Sequence, residues 1–159
     1  MENPKRILKK EVRILLIIII VFFVFYSDDA EAIAYYVSPS GSGSLCTSAN
    51  PCSLNSGLSN AVAGDEVVLK DGSYGGPFGT TRGGSPSNPI VIRSENWRQA
   101  VIKRFNVLHS DITVRSLHFD GKQEIAWIFV AGHTDGGNEI INLIVEDNLF
   151  ENAKSSCVT

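Results

Sequence analysis

Four short segments of the chain repeat one alternation of apolar and polar positions. They read "VVLKDGSY" (67–74), "IVIRSENW" (90–97), "ITVRSLHF" (112–119) and "LIVEDNLF" (143–150), and each ends on an aromatic residue. Apolar residues at every second position are the signature of a strand with one face buried. Aligned without gaps, Leu69, Ile92, Val114 and Val145 share one column, and Tyr74, Trp97, Phe119 and Phe150 share another five residues later. The columns recur after 23, 22 and 31 residues, the last interval lengthened by "AGHTDGGN" (Ala131 to Asn138), which reads as an inserted loop. Second apolar runs, "AVIK" (Ala100 to Lys103) and "AWIFVA" (Ala126 to Ala131), follow within the units. No helix-length segment separates them, so a βαβ sheet lacks its crossover helices. A leucine-rich repeat has a similar length, but its L-x-x-L-x-L-x-x-N pattern is absent. A solenoid of parallel strands fits, with each winding stacked on the last at ~4.8 Å and like residues over like. In that register Ile90, Ile92, Ile112, Val114, Leu143 and Val145 point inward, Thr113 and Arg115 outward, and the four aromatics stack past a corner. The alternative is a β-sandwich whose spacing is coincidental.

The region before the repeats is organised differently. "MENPKRILKKEVR" carries five basic residues, an apolar run of 13 (Ile14 to Tyr26) follows, and Ala30 and Ala32 supply a small-residue cleavage pattern. These are the parts of a signal peptide, and 13 residues are short of the ~20 that span a bilayer. Residues 1–32 are therefore expected to direct export, with the protein secreted, or anchored in a membrane if the segment is left uncleaved. Export makes a disulfide the natural reading of Cys46 and Cys52, which flank "TSANP". Cys157 is left over. In "SLNSGLSNAVAG", Leu54, Leu58, Ala61 and Val62 fall on one helical face, Gly64 is placed to end the helix, and Gly57 weakens it. Residues 33–64 thus form a strand, a disulfide loop and a capping helix over the open end of the solenoid, whose coils occupy 65–159. Thr159 follows "SSCV" inside a strand pattern with no second cap, so the solenoid is expected to be incomplete, the chain being a fragment.

The segments "YYVSPSGSGS", "AVAGDEVVLKDGSYGG", "GSPSNPIVIRSEN", "ITVRSLHFDG" and "LIVEDNLFENA" resemble the N-terminal portion of right-handed parallel β-helix proteins of the pectate-lyase-like superfamily. The likeness covers nearly all of Tyr35 to Thr159. It implies an all-β, right-handed parallel β-helix with a short N-terminal capping helix. It further implies a secreted protein that binds acidic polysaccharide and, when complete, cleaves it by β-elimination assisted by calcium. The catalytic residues of such proteins lie in middle coils beyond this sequence, so none is assigned and the chain alone is expected to be inactive. The alternative function is a non-catalytic extracellular or cell-surface scaffold or adhesion protein.

A net charge of −3 and a pI near 5.6 carry no basic excess, which argues against a nucleic-acid partner. Elimination on a uronate needs its carboxylate neutralised, a base at C5 and a protonated leaving oxygen. In the gapless register Lys70, Arg93 and Arg115 occupy one outward column ended by Glu146. They are candidates for gripping an acidic glycan; the plainer alternative is a solvated face with Arg115 relieved by Glu146. "GHTDGGNE" offers Asp135, Asn138 and Glu139 as hard oxygen ligands for calcium but matches no calcium motif, and a surface loop is the plainer reading. His109, His118 and His133 lack metal-ligand spacing and are expected at surfaces or turns. Asn148 and Asn152 are expected to satisfy backbone groups at corners. "GPFGTTRGG" lacks the Lys and helix of a phosphate-binding loop.

Overall fold

The computed structural model describes residues 31–132 and 139–158. The expected export segment therefore lies outside the described residues except for its last two positions, and His133, Asp135 and Asn138 lie outside them too. The chain opens with β1 (Ala34–Val37), a loop closed by a disulfide, and α1 (Leu54–Asn60). Four windings follow. The second rung holds β2 (Glu66–Leu69), β3 (Gly72–Tyr74) and β4 (Phe78–Gly79); the third holds β5 (Ile90–Ser94), β6 (Ala100–Ile102) and β7 (Phe105–Val107). The fourth holds β8 (Ile112–Arg115), β9 (His118–Asp120) and β10 (Trp127–Ala131); the fifth holds β11 (Leu143–Glu146), β12 (Leu149–Glu151) and β13 (Ser156–Val158). Sheet one runs β1-β2-β5-β8-β11, sheet two β3-β6-β9-β12 and sheet three β4-β7-β10-β13. Every ladder is parallel and joins strands one winding apart. The chain is a parallel β-helix.

The register corrects the gapless alignment in the early windings. In sheet one the shared column is Tyr35, Val67, Ile92, Val114 and Val145; Leu69 lies opposite Ser94, two residues further on. In sheet two the column is Tyr74, Ile102, Phe119 and Phe150. Trp97 is not in it. Trp97 is 63% exposed, and Ile102, from the second apolar run of that winding, fills the interior position. The cause is the number of residues between the two columns. Between the two columns the chain takes five residues in rungs four and five (Val114 to Phe119, Val145 to Phe150), but seven in rung two (Val67 to Tyr74) and ten in rung three (Ile92 to Ile102).

Inside, Ile92, Ile102, Phe105, Ile112, Val114 and Phe119 are fully buried. Phe119 and Phe150 stack at 4.9 Å with rings 8° from parallel, and the edge of Phe129 from sheet three meets both, at 5.3 and 5.6 Å. Phe105, on β7 of the third winding, stacks on Phe129 in turn at 6.5 Å, so the aromatic cluster spans the last three windings and two sheets rather than running through all four windings on one. Each such ring removes ~150–250 Å² from water and gains further from its geometry. Val145, in the same column as buried Val114, is 39% exposed, because among the described residues only the fourth winding stacks against it.

α1 packs against β1 and β2, with Gly57 over Val37 and Val67. Ser53 begins it, its hydroxyl accepting from the Ser56 N–H. Leu54, Leu58 and Ala61 turn inward, but Val62 is exposed and the helix ends at Asn60, four residues before Gly64. Gly57 belongs here for packing: a Cβ would stand 2.4 Å from the Val37 side chain, so only glycine lets the helix lie this close to β1. Asp65 replaces Gly64 as the local organiser, its carboxylate accepting from the Val62 and Ile33 N–H groups at 2.8 and 2.9 Å. Cys46 and Cys52 are bonded, as expected. Asn148 has the corner role expected of it, donating to the Val114 carbonyl and accepting from the Leu117 N–H, both at 2.8 Å. Asn152 does not: it is exposed, and its side chain donates to the Asp120 carboxylate.

Candidate functional site

Two groups of polar side chains on the outer surface are organised beyond what a solvated face requires. The first lies on sheet one and its corner toward sheet two. Arg93 and Arg115 are direct neighbours on β5 and β8, as alternation and stacking predict, and Glu146 follows on β11. Lys70 is not in that column; the position preceding Arg93 belongs to Val68. Lys70 instead pairs with Glu95 at 3.4 Å, and its ammonium lies 5.6 Å from the centre of the Tyr36 ring. Two like charges one winding apart repel unless something anionic sits between them. Glu66 does so, receiving Arg93 Nε and Nη2 at 3.0 and 2.9 Å and Arg115 Nη2 at 3.5 Å.

The five-residue corner Glu95–Gln99 projects outward beside this pair. Ser94 turns the chain into it: the Ser94 hydroxyl donates to the Asn96 carbonyl at 2.6 Å and accepts from the Ala100 N–H at 3.1 Å. Arg98 ties the corner to the two following windings, its backbone N–H donating to the Ser116 carbonyl and its Nε to the Asp147 carbonyl at 2.7 Å. Its guanidinium sits 4.2 Å from the centre of the Trp97 ring. Together these groups line an open hollow of about 400 Å³, bounded by Glu66, Arg93, Glu95, Trp97, Arg115 and Glu146 with Ser94, Ser116 and Asp147. A smaller hollow of about 190 Å³, between Ala131, Gly132, Glu139, Ile140 and Leu143, is mostly apolar.

The second group lies on the outer face of sheet two. His118 and Asp120 alternate onto the same side of β9, and Glu151 is the direct partner of Asp120 on β12. One ligand atom from each of the three falls within 4.8 Å of the others. His118 Nε2 and Glu151 Oε1 are 2.9 Å apart. The backbone N–H of Lys122, and then the Asn152 amide at 3.0 Å, hold the Asp120 carboxyl below the usual carboxylate range. His109, by contrast, serves a turn, its Nδ1 lying 2.9 Å from the Thr80 hydroxyl.

A solved lyase is similar to part of this chain. It is a mannuronic acid specific polysaccharide family 6 lyase from the human gut microbiota, 31% identical over 64% of this chain and 21% of its own length, with a TM-score of 0.40. The chain thus spans about a fifth of that enzyme. No family model matches the chain, and no curated protein matches it.

Calcium takes six to eight oxygen ligands. Among the described residues, the group in which three metal-ligating side chains converge supplies two carboxylates and an imidazole, which does not fit calcium. Of the three ligands offered for that ion, Glu139 alone is described, and it is exposed. Sequence reasoning passed over Glu66, the outward turn of Trp97, and the convergence of His118 with Asp120 and Glu151. A signal for the last was present: once Phe119 is aligned with Phe150, Asp120 necessarily aligns with Glu151, and His118 lies two residues back on the same face.

Proposed function

We propose that the chain contributes an acidic-polysaccharide-binding surface to an exported, pectate-lyase-like β-helix protein, with the hollow around Arg93, Arg115 and Trp97 as the contact. One juxtaposition carries this: an exposed indole beside two guanidinium groups on neighbouring windings. A sugar ring offers an apolar face to an indole, and a uronate carboxylate matches the planar donor fork of arginine. Windings spaced at ~4.8 Å repeat those donors along the axis of a bound polymer. Glu66 engages both guanidiniums through only some of their five donors each, which holds them in place and leaves others free. The disulfide between Cys46 and Cys52 supports export, since such bonds persist in oxidising compartments. Lys70, held by Glu95, lies at the margin of this surface. Cleavage by calcium-assisted elimination is assigned to none of these residues.

The non-catalytic scaffold is the second reading, and one observation favours it. Glu66, Glu95, Glu146 and Asp147 are matched only by Arg93 and Arg115 with Arg98 and Lys70 at the rim, so the hollow is near charge balance and exerts little long-range pull on a polyanion. Electrophoresis of the full chain through native gels containing alginate, polygalacturonate or neutral dextran separates the two, run with calcium chloride and with a chelator. Retardation by the acidic polymers alone, weakened at least several-fold in W97A and in R93Q/R115Q, is the expected result. Equal mobility in acidic and neutral gels would sink the binding reading and leave the scaffold.

A further inference from the structure

We propose that His118, Asp120 and Glu151 form a binding site for a divalent cation of the zinc class on the outer face of sheet two. This site is separate from the hollow on sheet one and does not depend on polysaccharide binding. Three features of the fold build it. Alternation along β9 puts His118 and Asp120 on one face, and parallel pairing sets Glu151 beside Asp120, so the three ligands come from two adjacent windings rather than from a loop. The imidazole is held in line between Val101 and Leu149, its register partners on β6 and β12, and is only 18% exposed. Asp120 Oδ1 is occupied by the Lys122 N–H and the Asn152 amide, an arrangement that orients the carboxylate and leaves its second oxygen for a metal.

The donor set decides the class of ion. One imidazole nitrogen with two carboxylate oxygens suits zinc and its neighbours, whereas calcium and magnesium prefer oxygen alone. Three protein ligands with the remaining position open to water is the pattern of accessible zinc sites. Tetrahedral ligation at about 2.0–2.2 Å requires ligand atoms about 3.4 Å apart. His118 and Glu151 already meet at 2.9 Å, and the whole group lies within 4.8 Å. Glu151, with a side chain 44% exposed, has the freedom to close the remainder. The competing account is a plain His118–Glu151 pair with Asp120 as bystander. It does not require the second oxygen of Asp120 or any stoichiometric metal.

Isothermal titration of the untagged full chain with zinc chloride, followed by the visible spectrum of the cobalt-loaded chain, distinguishes these. One zinc per chain is expected, with affinity reduced at least tenfold in each of H118Q, D120N and E151Q, unchanged in H109Q and H133Q, and not displaced by excess calcium. The cobalt spectrum should change in H118Q, which removes the nitrogen ligand. Glu151 has a side chain 44% exposed, so E151Q should retain the strand pairing, and circular dichroism is to show native folding of all three variants so that lost affinity is not unfolding. No saturable zinc binding, or binding unaltered in both H118Q and D120N, overturns the site.

Discussion

The corners between sheets one and two come in two kinds, and they divide the labour of the molecule. In the fourth and fifth windings two residues make the turn, Ser116–Leu117 and Asp147–Asn148, with Ser116 and Asp147 in the left-handed region at φ 57° and 56°. Asn148 then bonds to the winding before it at the Val114 carbonyl and the Leu117 N–H. In the third winding five residues, Glu95 to Gln99, make the same change of direction. The surplus cannot enter a close-packed interior, so it is displayed: Trp97 and Arg98 stand on the surface, beside the paired arginines. Short corners transmit register from winding to winding. Long corners break it locally and release side chains for contact with something outside.

That contrast can be broken or sharpened by experiment. Phe119→Ala should cost most, about 3–5 kcal/mol by denaturant titration, because its fully buried ring touches both Phe150 and Phe129. A loss near zero would mean the late windings do not hold the core described. Asn148→Ala should cost about 2–3 kcal/mol, since it orphans a donor and an acceptor at a short corner. If the cost is below about 0.5 kcal/mol, those corners are not secured by side chains.

Tyr74→Phe tests the short corner of the second winding, Lys70–Asp71, at about 1–2 kcal/mol. The hydroxyl donates its single proton between the carbonyls of Lys70 and Val37, at 2.8 and 3.0 Å. Burial first, then the carboxylates of Asp71 and Glu95, push its phenol well above the ordinary value. The folded chain thus holds a proton that the unfolded chain releases near pH 10, so this stabilisation is complete below about pH 10 and is lost as pH rises toward the folded value. Tyr74→Phe should flatten that alkaline decline; an identical decline in both proteins would refute the assignment. Trp97→Ala should change stability least, within about 0.5 kcal/mol, while weakening retardation by acidic glycans. A stability loss comparable to that of Phe119→Ala would restore Trp97 to the interior.

Legibility followed the corners. Where the turn is two residues long after an "ITVR" or "LIVE" strand, sequence spacing carries three-dimensional register, and the columns Val114–Val145 and Phe119–Phe150 could be read directly. Where the path between columns lengthens, through the five-residue corner of the third winding and through extra strand positions in the second, equal spacing put Trp97 in place of Ile102 and Leu69 in place of Val67, and so drew Lys70 into a column that Val68 occupies. The arginine neighbours Arg93 and Arg115 survived because both strands align in the windings around them, but the intervening Glu66 comes from a strand whose register had been misjudged. The disulfide was legible from the six-residue separation together with the expectation of export.

By itself the sequence determined the strands of sheet one and their inward faces, two of the second apolar runs, the recurrence that makes them wind, and the short helix before them. These follow from local alternation and period, which each segment expresses on its own. Tertiary structure alone decided which residues touch across windings: the Glu66 bridge, the outward Trp97, and the meeting of His118, Asp120 and Glu151. Such contacts depend on how many residues each corner absorbs, and that number is set by cross-winding hydrogen bonds and the packed interior, to which no single segment has access.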